Sequence, residues 1–103
     1  MNEQSNTAKR VKSDPITLEE PIVRGEQTID ALVLRRPDSG SLRGVKLADI
    51  LQIDVTSITV VLPRICEPHI SSVEAARLSP ADLLAVGSEL AAFFLPKGAL
   101  AEI

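Results

Sequence analysis

The chain has no tryptophan, no tyrosine and only two phenylalanines in 103 residues. A hydrophobic interior must therefore be assembled from Leu, Ile, Val and Ala, and stacking on nucleobases has almost no aromatic surface to use. A single cysteine, Cys66, excludes an intrachain disulfide and fits a reducing compartment. A single histidine, His69, leaves no triad to build around a nucleophile and, with one cysteine, no set of four zinc ligands. The Cys66/His69 spacing of three is read as a buried thiol next to a surface imidazole. No serine stands in a Gly-x-Ser-x-Gly turn and no glycine-rich phosphate loop occurs. No apolar run reaches the ~20 residues of a membrane span, and the N-terminus carries no apolar stretch of signal-peptide length. A soluble, intracellular protein without cofactor, metal or catalytic centre is expected.

What the chain does have is apolar content of 45% with a formal charge of −3. That charge gives no general attraction to nucleic acid or anionic lipid. The length fits one small domain. Residues 1–14 are polar and patternless and are expected to form a disordered arm. Residues 15–96 form the domain, and 97–103 are a flexible tail.

Within the domain, Ile16-Thr17-Leu18 and Pro21-Ile22-Val23 form a broken extended run, and Pro21 marks it as an edge strand. Gly25-Glu26-Gln27 is a turn, and Thr28 to Arg35 is the strongest strand, so a β-hairpin is expected across 16–35. Pro37 to Gly44 is a loop. From Val45 the apolar period changes. Val45, Leu47, Ile50 and Leu51 fit a short helix. Asp54 is placed as the N-cap of a second helix carrying Val55, Ile58, Leu62 and Ile65, which Pro63 should bend or end. A short helical stretch is expected near Ser72 to Arg77. The last helix has Ser79 as N-cap, Pro80 at N1, and Asp82 at N3 able to reach back to the cap. It is expected to run to about Leu95 and stop at Pro96 and Gly98. The fold class is thus α+β: a small N-terminal hairpin packed with a C-terminal bundle of about three short helices.

Three surfaces invite a functional reading. Arg35, Arg36 and Arg43, with Lys46, form a basic loop opposed by Asp38 alone, which could dock an anion or an acidic partner. Residues 47–62 have the outline of a helix-turn-helix. Its second helix carries no basic residue from Val55 to Leu62, so it lacks the phosphate contacts that supply most DNA affinity; a small DNA-binding regulator is the alternative function. The last helix is apolar on more than one side. Leu83, Val86, Leu90, Phe93 and Phe94 share a broad face, and Leu84, Ala85, Ala91, Ala92 and Leu95 widen it beyond what a domain this small can cover. Leu83, Leu84, Val86, Leu90, Phe93 and Phe94 are therefore the candidate partner-binding residues.

The order of these parts carries a resemblance. An Ile-Thr-Leu…Pro-Ile…Gly hairpin is followed by Leu34-Arg35-Arg36-Pro37…Gly40-Ser41-Leu42-Arg43-Gly44. Short helices come next, then Leu78-Ser79-Pro80-Ala81-Asp82-Leu83 and Phe94-Leu95. Over about residues 15–96 this resembles the small tail assembly chaperones of Mu-like and related contractile-tailed phages and prophages, with Ser79 where that family more often has Asp. The resemblance implies a non-catalytic escort for the long helical tape measure protein, with the tail tube protein as a further partner. It also implies several copies acting together, a longer form made by ribosomal frameshifting near Phe93-Phe94-Leu95, and residence in the host bacterial cytoplasm but not in the mature virion. Neither nucleic acid nor membrane is an expected partner.

Overall fold

In the computed structural model, which describes residues 11–95, strands β1 (Ile16–Arg24) and β2 (Gln27–Leu34) pair antiparallel as a hairpin. The turn between them places Gly25 at φ +62°, a conformation that costs glycine nothing. Strand β3 (Cys66–Glu67) adds antiparallel to the far side of β2, with Leu34 opposite Cys66, so the sheet order is β1-β2-β3. A single 3₁₀ turn at Gly40–Leu42 precedes four helices: α1 (Leu47–Leu51), α2 (Val55–Ile65), α3 (Ser72–Ala76) and α4 (Pro80–Ala92). The α+β class is as expected, each of the four helices falls where a helical stretch is expected, and the third strand is an addition. The last helix ends at Ala92, short of the expected Leu95, with Phe93 and Phe94 in turns after it; Pro96 and Gly98, the tail 97–103 and the first ten residues of the arm lie outside the described residues.

The arm ends earlier than the sequence pattern suggests. Lys12 bridges Arg35 in antiparallel fashion, Arg36 N–H donates to Val11 O at 2.7 Å, and Ser13 bonds Leu34 twice. Its N–H reaches Leu34 O at 2.8 Å, and its hydroxyl accepts Leu34 N–H at 2.9 Å. Residues 11–13 are thus tied to the end of β2. The pattern gave no sign of it because these bonds are made by backbone and one hydroxyl, not by apolar side chains.

The hairpin is irregular for a reason visible in its register. Thr17 lies opposite Ala31 and Ile22 opposite Ile29, so β1 advances five residues while β2 advances two. The excess is a wide bulge over Leu18 to Pro21. Pro21 brings no N–H to it, but Glu19 and Glu20 do, and neither can bond β2. Both are taken by one carboxylate from the start of α4: Glu19 N–H donates to Asp82 Oδ1 at 2.7 Å and Glu20 N–H to Asp82 Oδ2 at 3.0 Å. Asp82 is only 1% exposed. Ser79 caps α4 as expected, its hydroxyl accepting Asp82 N–H at 3.2 Å. The Asp82 carboxylate, however, reaches across to β1 instead of back to the cap. Backbone donors turned away from water and left without partners are costly, and the bulge supplies two that are partly buried. Burial alone would push the Asp82 carboxyl up. The N–H groups of Glu19 and Glu20, with the Ser79 hydroxyl, outweigh it and hold the carboxyl below its ordinary range.

The other ties are ordinary caps joined to long-range contacts. Asp54 caps α2 by accepting Ser57 N–H at 3.0 Å. Pro63 does not end this helix, which continues to Ile65. Its last carbonyls find partners in the segment after β2: Arg35 N–H donates to Ile65 O at 2.9 Å, and the Arg35 guanidinium to Arg64 O at 2.8 Å. A proline two residues from the end of a helix leaves one carbonyl unbonded upstream but does not prevent the last turn when that turn is held from outside. Helix α3 starts with a reciprocal box between Ser71 and Glu74, and Glu74 also takes a two-pronged contact from Arg24 of β1 at 2.8 and 2.9 Å. That contact first, and the Ser71 N–H second, pull the Glu74 carboxyl down to about 2.

The core lies between the sheet and the helices. Leu32 and Leu34 enter it from β2, Ile50 from α1, Ile58, Leu62 and Ile65 from α2, and Val86 and Leu90 from α4, all at 1% exposure or less. Helix α4 packs on β1, α1 and α2. It meets the link between α1 and α2 at Gly87, where an added Cβ would lie 2.5 Å from Ile53 Cγ2. Ile53, in the link between α1 and α2, has φ +56°, a left-handed conformation that is strained for a β-branched residue by roughly 1–3 kcal/mol. The strained link therefore presses a side chain into a gap that only glycine leaves open.

Two outcomes follow. Gly87→Ala is expected to destabilise the protein by about 1–3 kcal/mol through overpacking, and Ile53→Ala in the same chain to recover part of that loss. Urea unfolding of both single variants and the double variant checks it; additive losses would show that the two residues do not share one contact. Second, Asp82 and Glu74 both hold their carboxylates at lower pKa folded than unfolded, so the unfolded chain takes up protons first as pH falls. Their contribution is intact above about pH 5 and declines as pH falls toward 2. Asp82→Asn is expected to flatten the acid side of the stability profile, and Asp82→Ala to cost about 2–4 kcal/mol at pH 7 by stranding both strand N–H groups.

Candidate functional site

Helix α4 is apolar almost all round, but its faces have different fates. Asp82, Val86 and Leu90, each four apart, form the buried stripe, joined by Gly87. Val86 and Leu90 have no exposed surface, so the structure places these two candidate residues in the core, where they cannot touch a partner while the fold is intact. The sequence pattern shows how wide an apolar face is but not which part of it meets the sheet. Leu83, Phe93 and Phe94 are partly buried and pack against the core from its margin. Leu84 alone of the six lies fully on the outer face, 58% exposed.

That outer face carries no charge. Ala81, Leu84 and Ser88 are its exposed members, and Leu95 extends it beyond the helix end. The two acidic residues of α4 are elsewhere: Asp82 is buried and Glu89 is partly buried. Helix α1, which contacts α4, adds a similar surface. Ile50 points into the core, which turns Leu47 and Leu51 outward at 55% and 50% exposure, and Val55 at the start of α2 is exposed as well. None of these three is among the partner-binding candidates that the sequence pattern picks out. The signal was there in the composition of α1: Leu47, Ala48, Ile50 and Leu51 leave Asp49 as its one charged residue, so one face had to remain uncovered.

The basic loop is a built structure. Arg64, at the end of α2, donates from Nη1 to Ser41 O at 3.0 Å and to Arg43 O at 2.9 Å. Asp38 accepts the Ser41 N–H at 2.9 Å and the Ser41 hydroxyl at 3.0 Å, and these contacts hold its carboxyl below the usual range. Arg35 and Lys12 converge on Glu67 at 3.2 and 3.1 Å. Arg35 is thus committed to the fold, while Arg36 and Arg43 are exposed and have no acidic partner among the described residues.

Neither of the other constellations assembles into a site. Cys66 is buried in β3, and burial pushes its thiol up to about 11, away from reactivity. His69 is exposed, and no group of three or more metal-ligating side chains comes together among the described residues. Helices α1 and α2 do follow one another across a tight link. The outer positions of α2 are Val55, Thr56, Val60 and Arg64, and Arg64 is spent on the loop carbonyls. The Thr59 hydroxyl donates to Thr56 O at 2.9 Å, so it is already bonded within the helix. Among the described residues no helix is long and apolar enough to cross a membrane.

Comparison with known proteins gives a consistent answer. The family model described as "Phage tail assembly chaperone proteins, E, or 41 or 14" matches residues 15–95. Tail assembly protein E of Escherichia phage P2 is 39% identical over 85 residues, which is 82% of this chain and 93% of that protein. Tail assembly protein E′ of the same phage is 38% identical over 84 residues, again 82% of this chain but 59% of that longer relative. No solved structure matches the chain. The matched region covers every strand and helix described above, from the bulged hairpin to the end of α4, and the chain belongs to the phage tail assembly chaperone family.

Proposed function

We propose that this member of the family is a non-catalytic escort that holds amphipathic helices of the tape measure protein against the exposed faces of α1 and α4. The observation that carries the reading is the uncharged outer surface of Leu47, Leu51 and Leu84, each at least half exposed on helices that touch. Large aliphatic side chains kept in water on adjacent helices are the usual footing for an amphipathic helix laid along a groove. The tape measure protein is long and helical, so many copies of a weak contact along one client would act by avidity. Weak individual contacts also let the growing tail tube displace each copy, with the tail tube protein as the second partner. On this reading the protein works in the host cytoplasm and is absent from the finished virion.

A short and a long form of the domain fit the same reading. Proteins E and E′ match nearly the same stretch of this chain at nearly equal identity, yet the chain spans 93% of one and 59% of the other. A longer product made by frameshifting near Phe93-Phe94-Leu95 would extend the chain from the end of α4, beside the exposed face. The codons at that point test this: absence of a slippery run and of an overlapping downstream frame would remove the longer form.

Client capture is tested by co-expression with the tape measure protein. The wild-type chain should raise the soluble fraction of that protein. Leu47→Asp with Leu84→Asp should abolish the gain while changing folding stability by less than about 1 kcal/mol, since both side chains are exposed. Leu90→Asp should instead unfold the protein, because it places a charge in a fully buried position. A folded Leu47/Leu84 double variant that rescues the client as well as wild type would overturn this choice of surface.

A further inference from the structure

The exposed apolar face of α1 and α4 does not end in neutral surface. Lys46 immediately precedes Leu47, and Arg43 stands three places before Lys46. Both side chains are exposed, as are Leu47, Ala48 and Leu51. Neither cation has an acidic partner among the described residues. The carboxylates nearby in the chain do not neutralise them. Asp38 is spent on the Ser41 N–H and hydroxyl. Asp49, the one acidic residue of α1, is partly buried and forms no ion pair with Lys46. Asp14, beside the strand end that leads into the loop, is already engaged.

The backbone under the two cations is held at each step. Val45 N–H donates to Leu42 O at 3.0 Å and closes a turn in which Gly44 takes φ +81°. Arg64 donates to the carbonyls of Ser41 and Arg43, so α2 grips the main chain of Arg43 and leaves its guanidinium out of that contact. Lys46 O accepts the N–H groups of Asp49 and Ile50, at 3.1 and 3.3 Å, as α1 begins. Leu51 lies one turn beyond Leu47, about 6 Å along the axis, so the aliphatic surface of α1 is short and starts beside both cations. At the other end of α1 the link through Ile53 meets Gly87, and Leu84 continues the surface on α4. The strip thus has a cationic end, and that end is α1's first turn.

We propose, on the footing that this face holds client helices, that its occupant is an amphipathic helix with carboxylates at one end of its apolar stripe, seated so that they meet Arg43 and Lys46. A short aliphatic strip discriminates poorly between one amphipathic helix and another, because the attraction it offers is non-directional. Two cations fixed at one end add a sign and a direction. A helix with carboxylates there gains two pairs, and a helix with lysines there meets like charge. The −3 total of the chain does not reverse this, since at 0.1 M salt charges more than ~10 Å away are largely screened. Exposed pairs are individually weak, so the cations do not hold an acidic ligand by themselves. They select among helices that the leucines already hold.

Three synthetic helices of about five turns test this. They share one leucine stripe and differ in two residues just outside one end of it, which are Glu, Gln or Lys. Fluorescence titration with the full chain at low salt should rank them Glu, Gln, Lys, with the Glu helix about tenfold tighter than the Gln helix. At high salt the three should converge on the affinity of the Gln helix. Arg43→Gln with Lys46→Gln, checked for folding by circular dichroism, should erase the ranking and leave binding of the Gln helix unchanged, because Arg64 holds the Arg43 carbonyl and not its side chain. Leu47→Asp with Leu84→Asp should lose all three helices. Equal affinity of the wild-type chain for the three, or a ranking that survives in the folded Arg43/Lys46 variant, would overturn the charge selection and leave the apolar face standing as the client site. A Glu helix that binds as tightly with its leucines replaced by serine would also overturn it, since the loop would then take any acidic peptide. Failure of all three helices to bind would instead remove the escort surface, and this selection with it.

Discussion

One buried carboxylate joins the two halves of this fold. Asp82 receives two consecutive strand N–H groups, at 2.7 and 3.0 Å, in a place where β1 has left its partner strand. The bulge and the helix start require each other. Without Asp82 the bulge would strand two partly buried donors; without the bulge Asp82 would be a buried charge compensated by the Ser79 hydroxyl alone, which is more costly still. The same contact fixes how α4 lies. With Asp82 facing β1, the residues four and eight positions on, Val86 and Leu90, are turned into the core, and Leu84 is turned out. The partition of α4 into a packed face and a wet face is therefore fixed at its first turn by a polar interaction as well as by apolar packing further along.

This explains which parts of the structure were legible in the sequence. The hairpin, the loop, the caps at Ser79 and Asp54 and the α+β class follow from local signals: Pro21 at an edge, Gly25 in a turn, Ser-Pro before an apolar run. What could not be read is what depends on partners far away in the chain. Asp82 has the spacing of a reciprocal cap, and the sequence gives no hint that residues more than sixty positions earlier need its oxygens. β3 is two residues long and owes its existence to the edge of β2. Pro63 looks like a helix terminus because the outside support from Arg35 is invisible locally. The broad apolar face of α4 was visible as a surplus, but dividing it between core and surface needed the Asp82 contact.

The link at Ile53 shows the same dependence in the apolar direction. A β-branched residue in a left-handed conformation is unfavourable by itself, and nothing in Gln52-Ile53-Asp54 asks for it. The conformation is held because Ile53 closes against Gly87 on α4, at a point where no other residue type would leave room. The link also aims α1. It sets Ile50 inward and Leu47 and Leu51 outward, so the exposed aliphatic surface beside α4 is a product of the strained turn. Two features that look unrelated in the sequence, a helix glycine and an isoleucine between helices, thus decide together where the uncovered apolar area lies.

An exposed apolar surface on a small domain is a hazard unless something limits what can settle on it. Here the limits are structural and are met on the polar side of the molecule. The edge of β1, which would otherwise offer a row of free donors to another chain, is broken by the bulge, by Pro21 and by the use of its spare N–H groups on Asp82. The exposed faces of α1 and α4 are aliphatic and small, without the aromatic side chains that make tight, long-lived contacts, so a helix laid on them is held loosely. That combination suits a protein of tail assembly better than a permanent subunit would. On the proposed function, a partner is discouraged from extending the sheet, is free to meet the helices, and can be taken away again when a more extensive interface forms around it.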